Sequence, residues 1–248
     1  MTAALHAYER VLQSARQRVA EAEELGGLMS SEASDGPSHL HAFLIQWASL
    51  SVQLHEPTEQ FLAEASHRCA ELGESKLALT LLHIALDAID VYRLLADDTR
   101  ALAQLWNGRR LPHLDMTSLL TQPATQAIRR SHEHQTQLVL GAEPWAELAS
   151  LFEIHTLLAT MADRTLAAAT RLLGEEVRPG LRTLHSLKQQ RANSLLTNAM
   201  ATFLTANPER HAVMVAAGQR TLELYVEFLL ECSVAGFNLS SWQARQPA

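Results

Sequence analysis

The stretch Leu77–Trp106, LALTLLHIALDAIDVYRLLADDTRALAQLW, decides the fold class of this chain. Its apolar residues recur every three or four positions, which is the period of an α-helix with one buried face. Glycines and prolines divide the rest of the chain into further segments of the same period, and no segment alternates apolar and polar residues between hairpin turns. The sequence therefore predicts an all-α protein, a bundle of about seven long helices.

Local start and stop signals give the predicted helix bounds. We expect one domain over residues 1–248 with its core between residues 38 and 236, and a tail from Asn238 that frays. The predicted helices run to about Leu25, from about Ser38 to His55, from Thr58 to Leu72, from Ser75 to Trp106, from Thr125 to Leu140, from Glu143-Pro144 to Gly174, from about Val177 or Leu181 to Ala206, and from Asn207-Pro208 to Gly236.

Composition limits the class of protein and its partners. The chain has 248 residues, is 47% hydrophobic and carries a formal net charge of -7, which favours a packed core and argues against nucleic acid or an anionic membrane as partner. The partner is therefore expected to be a small molecule. We expect neither a secretory signal nor a membrane span. Cys69 and Cys232 lack zinc-site spacing, so we expect free thiols and a cytoplasmic location.

Three polar residues, His83, Asp87 and Asp90, interrupt the apolar character of Leu77–Trp106. Their spacing of four and three residues places them on one face of the helix. A carboxylate pair on an apolar stripe indicates a metal, a buried ion pair or a polar ligand. The alternative is that the aspartates edge a solvated face and that His83 is a satisfied core histidine.

Two further segments place carboxylates near apolar residues. Glu153 and His155 interrupt the run LASLFEIHTLLATMA, where an unpaired charge would be costly, so Glu153 is predicted to face inward and His155 to border solvent or a neighbouring helix. Glu59 is a weaker candidate, because a glutamate in the first turn of a helix is equally well explained by the helix dipole.

The row His185, Gln189 and Asn193 has a strict spacing of four residues and therefore follows one helix face. If the row faces the bundle centre, it can recognise a polar organic group; if it faces outward, it is an ordinary solvated stripe. Motifs for phosphate loops, α/β-hydrolases, dinucleotide-binding folds and H-E-x-x-H zinc sites do not occur, and no heme is expected.

The segments FLIQWASLSVQLHEPTEQFLAEASHRCAELG (43–73) and LALTLLHIALDAIDVYRLLADD (77–98), with the order and lengths of the helices, resemble the heme-oxygenase-like superfamily, particularly its non-heme iron-containing oxidase branch. The resemblance spans roughly His39 to Gly236. In that branch one helix carries E-x2-H before an Asp-Asp pair, a later helix supplies a glutamate, and the next supplies H-x3-D-x2-H. Two irons between these helices activate dioxygen.

The resemblance aligns only part of that ligand set. Gln189 stands where the last motif has aspartate, and Ala192 stands where it has its second histidine. Because a di-iron centre needs about six protein ligands, a complete site is not expected. The aligned positions are Asp87 at the first glutamate, Asp90 near the first histidine, Asp97-Asp98 at the acidic pair, Glu153 at the later glutamate and His185 at the next histidine.

The sequence leaves three functional alternatives. In the first, the chain is an oxidase of specialised metabolism in which one Fe(II) binds Asp87, Asp90, Glu153 and His185, with Glu59 as a weaker ligand. In the second, the enzyme is metal-free: Asp87 or Glu153 removes a proton and His83, Gln189 and Asn193 bind the substrate. In the third, the chain binds a small molecule without turnover.

A homodimer is also expected, because the last helix is apolar between Val213 and Phe237.

Overall fold

Helices account for all the regular secondary structure that the computed structural model describes, as the sequence predicts. The described residues are 2–20, 36–190 and 194–244, without the side chains of residues 20, 87–90, 187–190, 194 and 242–244. The α-helices in this part of the chain are α1 (Ala3–Ala20), α2 (Gly36–His55), α3 (Thr58–Glu71), α4 (Ser75–Asn107), α5 (Met116–Leu120), α6 (Gln126–Leu140), α7 (Glu147–Leu173), α8 (Arg182–Gln190), α9 (Ser194–Ala206) and α10 (His211–Ala244).

Helix α2 is the centre of the bundle. Every residue from 40 to 51 is buried, so the helix has no solvent-facing side over this stretch. Helices α4, α5, α6, α7 and α10 all contact it. The run LHAFLIQWASLS is mostly apolar, and a helix with apolar residues on every side is stable only when other helices surround it.

The last helix crosses α2 at Gly236. A Cβ atom at this position would lie 2.8 Å from the backbone nitrogen of Phe43, so only glycine permits the close approach of the two helices. The prediction that the helix ends at Gly236 is therefore wrong: the glycine serves packing, and α10 continues to Ala244. The predicted frayed tail from Asn238 is helical up to that residue, and residues 245–248 lie outside the described part.

Two other helix ends follow the local signals. Gly73 and Gly174 have positive φ values of 83° and 85°, and α3 and α7 end just before them, as predicted. Between Val177 and Ala206, where one helix was predicted, the described residues include α8 and α9; residues 191–193 lie outside the described part, and their place in one continuous helix stays a prediction. Helix α5 was not predicted, because its residues lie in a proline-containing stretch too short to show a helical period.

Helix α1 belongs to the buried core, although the predicted core began at residue 38. Its residues Leu5, Tyr8 and Leu12 are at most 1% exposed and join the same hydrophobic cluster as the central helices. Both cysteines are free and buried, in agreement with the prediction of free thiols. None of the described helices combines the length and apolar character that crossing a bilayer requires.

Candidate functional site

A partly open pocket lies where α6, α7 and α10 meet the turn between α2 and α3. Its volume is about 50 Å³, which is room for roughly four water molecules or for a ligand group of similar size. The lining residues are Leu54, His55, Thr58, Ser131, His134, Gln135, Glu147, Ser150, Leu151, Ile154, Thr221, Leu224 and Tyr225.

Helical periodicity explains how the chain builds this pocket. Each of the three long helices contributes residues spaced by three and four positions, which is the spacing that places side chains on one face. Every such face carries at least one polar group. The three sets are Ser131, His134 and Gln135 on α6, Glu147, Ser150 and Leu151 on α7, and Thr221, Leu224 and Tyr225 on α10.

Glu147 is the unusual member of the lining. It lies in the first turn of α7, directly after a 3₁₀ turn at Pro144–Ala146, and is only 1% exposed. Its Oε2 atom has no hydrogen-bond partner among the described residues. Burial raises the pKa of Glu147 to about 8, so the carboxyl group carries a proton at neutral pH.

Gln135, which also lines the pocket, carries a second unpartnered acceptor. Its Oε1 atom is buried and has no hydrogen-bond partner among the described residues. Buried polar atoms are nearly always hydrogen-bonded in folded proteins, so two exceptions among the lining residues of one pocket make it the candidate functional site.

Some polar groups of the lining have hydrogen-bond partners within the protein. The Thr221 hydroxyl donates to the carbonyl of Ala217 at 2.9 Å and lies 3.4 Å from His134 Nε2. The Tyr225 hydroxyl accepts a hydrogen bond from Trp47 Nε1 at 3.2 Å. These contacts join α10 to α2 and α6 around the pocket that Gln135 and Glu147 also line.

The histidines around the pocket are uncharged at neutral pH. Burial lowers the pKa of His55 to about 4, and the neighbouring His132 and His155 act in the same direction. Burial also lowers the pKa of His134. Because no lysine or arginine lines the pocket, the site offers hydrogen-bond acceptors and an exchangeable proton, without a fixed positive charge.

Glu153 is buried, which agrees with its predicted inward orientation, and Arg16 of α1 binds it. The guanidinium donates two hydrogen bonds, from Nε to Oε2 and from Nη2 to Oε1, each 2.7 Å long. Both carboxylate oxygens are therefore engaged by a bidentate ion pair. Although burial acts in the opposite direction, the hydrogen bonds and charge of Glu153 raise the pKa of Arg16.

The other predicted site residues do not join this pair in a shared chamber. The side chains of His83, Glu59 and His185 are exposed. The side chains of Asp87, Asp90 and Gln189, and the whole of Asn193, lie outside the described residues.

The acidic pair that the resemblance matched has a structural role here. Asp98 is fully buried and accepts hydrogen bonds from the backbone N–H groups of Arg182 and Thr183 at 3.0 and 2.8 Å, at the start of α8. Burial raises the pKa of Asp98, and these hydrogen bonds oppose that shift. Asp97 pairs with Arg100 and Arg182 at the surface.

The described members of the predicted iron site do not fit a common metal. Glu153 is saturated by Arg16, and His185 projects to solvent. Among the described residues, no three histidine, cysteine or carboxylate side chains are arranged to hold a metal ion. Iron binding through Asp87 and Asp90 stays a prediction.

Sequence reasoning missed Glu147 because its position suggests an ordinary role. A glutamate in the first turn of a helix is usually explained by the helix dipole, and the same argument was applied to Glu59. The available signal was the apolar surrounding of Glu147 in PWAELASLF, since the residues from 144 to 150 are all buried. Glu59, without such a surrounding, is exposed.

No protein-family model, curated protein or solved structure matches this sequence. The resemblance to the heme-oxygenase-like superfamily and the expected homodimer therefore stay predictions.

Proposed function

We propose that this protein binds a small polar organic molecule in the pocket between α6, α7 and α10. The observation that carries the proposal is the Glu147 carboxyl group, which is buried at the pocket wall with an unpartnered oxygen. An unpaired buried acceptor costs about 1–3 kcal/mol, and a ligand that donates a hydrogen bond to it would recover this free energy. The unpartnered Gln135 amide oxygen supports the same conclusion.

The apolar part of the lining suits a ligand with a short carbon chain. Leu54, Leu151, Ile154 and Leu224 surround the polar groups, and binding sites for small molecules combine such apolar walls with a few placed polar atoms. The small volume limits the enclosed part of the ligand to a few non-hydrogen atoms, and a longer molecule would extend through the opening.

A cavity-blocking substitution tests this function. We expect Ser131→Phe to weaken binding about tenfold or more, because Ser131 lines the pocket and is only half-buried, so the ring can enter without unfolding α6. The measurement is ligand-observed NMR with a panel of two- to five-carbon amines, alcohols, amides and ketones. The matched control is Gln137→Phe, which places the same ring on the exposed face of α6.

The proposal requires at least one panel member that binds the natural chain and Gln137→Phe equally well and Ser131→Phe weakly. Absence of binding by the whole panel, or equal binding to both variants, would refute it.

A specific observation favours proton-transfer catalysis as a second function of the same site. Glu147 has a pKa of about 8, so it can both donate and accept a proton near neutral pH, and the imidazole of His55 beside the pocket is uncharged. We expect a ketone of the panel to gain carbon-bound deuterium in D₂O, detected by mass spectrometry. Equal incorporation by the natural chain and Glu147→Gln would rule out this catalytic role.

A further inference from the structure

We infer that the ligand is a small organic ammonium ion, a protonated primary amine of about three carbon atoms or the aminoalkyl end of a longer molecule. The inference rests on the proposed function and names the chemistry of its ligand. The grounds are the unpartnered acceptors of the described lining residues and the lack of lysine and arginine among them.

Within the described part of the chain, two hydrogen-bond acceptors of the lining residues lack a donor. Glu147 Oε2 and Gln135 Oε1 are both buried and unpartnered among the described residues. A primary ammonium group has three N–H donors and no acceptor, so it has a donor for each of these oxygens. A carboxylate or phosphate ligand brings only acceptors and would leave Gln135 Oε1 unsatisfied.

The wall also lacks the groups that would attract an anion or repel a cation. No lysine or arginine belongs to the lining. On the adjoining helices, Arg130 pairs with Glu227 and Arg220 pairs with Glu223. A buried ammonium group requires an anionic partner, and Glu147 is the one acid that the described lining provides.

Binding of the cation is coupled to loss of a proton. The free pocket holds Glu147 as a neutral acid; on binding, its O–H bond breaks, the proton leaves to solvent, and the carboxylate faces the ammonium group. Affinity should therefore rise about tenfold per pH unit up to pH about 8 and then level off. An alkylammonium group, like that of lysine, keeps its own proton to about pH 10.

The other titratable groups of the pocket lining do not change charge in the pH range in which Glu147 titrates. They are His55 from α2, His134 from α6 and Tyr225 from α10, while α3 contributes the uncharged Thr58. Burial lowers the pKa of both histidines below the ordinary value of 6.5 and raises that of the tyrosine. None of them changes charge between pH 6.5 and 9.

The test compares n-propylamine, 1-propanol and propionate as probes of the whole chain from pH 6.5 to 9. Four or five non-hydrogen atoms limit the dissociation constant to roughly micromolar to tens of micromolar at best, so ligand-observed NMR is the suitable measurement. At pH 8 we expect propylammonium to bind about tenfold more tightly than propanol, and propionate to bind least. Glu147→Gln should reduce propylammonium affinity to that of propanol and abolish its pH dependence.

Two controls keep the result interpretable. Glu143→Gln removes an exposed carboxylate four residues earlier and should leave all three affinities unchanged. Binding of 1-propanol to Glu147→Gln shows that the variant pocket is intact. If propanol binds as tightly as propylammonium, or if the preference survives Glu147→Gln, the ammonium assignment is overturned while the pocket stands. If none of the three probes binds, the ammonium assignment is refuted, and absence of binding by the whole panel as well refutes the proposed function.

Discussion

Glu147 and Glu153 lie on the same helix, and both are buried, but their surroundings differ completely. Glu153 receives two hydrogen bonds of 2.7 Å from Arg16, whereas Glu147 has an oxygen without a partner at a pocket wall. Six residues are not a whole number of turns at about 3.6 residues per turn, so the two side chains leave α7 on different faces. One face holds α1 to the bundle, and the other lines the pocket.

The comparison shows that burial of a carboxylate is not by itself a sign of function. A buried acid with both oxygens satisfied belongs to the architecture of the fold. A buried acid with an unsatisfied oxygen in a cavity is destabilising unless something binds it. The two glutamates are equally buried and differ in whether both carboxylate oxygens have a hydrogen-bond partner.

The largest expected effect is from breaking the Glu153 pair. Arg16→Ala leaves a carboxylate that is 0% exposed without compensation, which should lower the free energy of unfolding by about 3–5 kcal/mol. Urea denaturation at pH 7 measures this change. Arg10→Ala, an exposed arginine of the same helix, is the matched control and should stay within about 0.5 kcal/mol of the natural chain. A small effect of Arg16→Ala would contradict a structural role for the pair.

The second substitution, Glu147→Met, should change the free energy of unfolding in the opposite direction. Glu147→Met removes an unsatisfied buried acceptor and fills the same space with an apolar chain, so we expect the free energy of unfolding to increase by about 1–2 kcal/mol. The parallel variant Glu153→Met should be destabilised, since it leaves the Arg16 charge unpaired. If Glu147→Met also loses several kcal/mol, the carboxyl group has a protein partner and the contrast between the glutamates disappears.

The third expected effect is on the pH dependence of stability. Between the ordinary glutamate pKa of 4.5 and about 8, the folded state binds a proton at Glu147 that the unfolded state has lost. Stability from this group is therefore fully present below pH 4.5 and is lost as pH rises through 8, with a slope of up to about 1.4 kcal/mol per pH unit.

The histidines act in the opposite direction but at lower pH. His55 has a pKa of about 4 in the folded protein, so its contribution is lost as pH falls below 6.5. Burial also lowers the pKa of His41, His132, His134 and His155. The histidines therefore still raise stability with pH just above 6.5. The difference between the natural chain and Glu147→Gln cancels their contribution. Thermal unfolding from pH 6.5 to 8 should show that the stability of the natural chain relative to Glu147→Gln declines as pH rises; a constant difference between the two proteins would contradict the raised pKa of Glu147.

The smallest expected effect is on metal content. Because Arg16 occupies both oxygens of Glu153, we expect Glu153→Gln to leave the iron content of protein loaded anaerobically with Fe(II) unchanged. Elemental analysis measures it, and Asp87→Asn is assayed in parallel because the prediction from sequence includes that residue. Loss of roughly stoichiometric iron in Glu153→Gln would show that the glutamate is a ligand and would restore the iron site that the sequence predicted.

The helices were predictable where a local signal fixes them. The period of Leu77–Trp106 predicts α4 almost to the residue, and Gly174 predicts the end of α7, because a helix period and a left-handed glycine depend only on neighbouring residues. Gly236 shows where this reasoning fails. Its role is to let α10 approach Phe43, a residue nearly two hundred positions away, and a glycine that serves packing carries the same local signal as one that ends a helix.

The candidate site was predictable only in part, and for the same reason. A carboxylate in the apolar run around Glu153 had to face inward and find a partner, and the sequence indicates that much. The identity of the partner, Arg16, depends on how α1 docks, 137 residues away along the chain. The pocket at Glu147 combines residues of α2, α3, α6, α7 and α10, and no single segment records that they meet.

The amino-acid sequence by itself therefore determined the all-α class, most of the long helices and the burial of Glu153, since these follow from short-range periodicity and the cost of exposing apolar groups or isolating charges. Only the tertiary structure decided which buried acid is satisfied and which faces a cavity. Hydrogen-bond partners and empty volume are properties of helices packed together, and the contacts that create them join residues far apart in the chain.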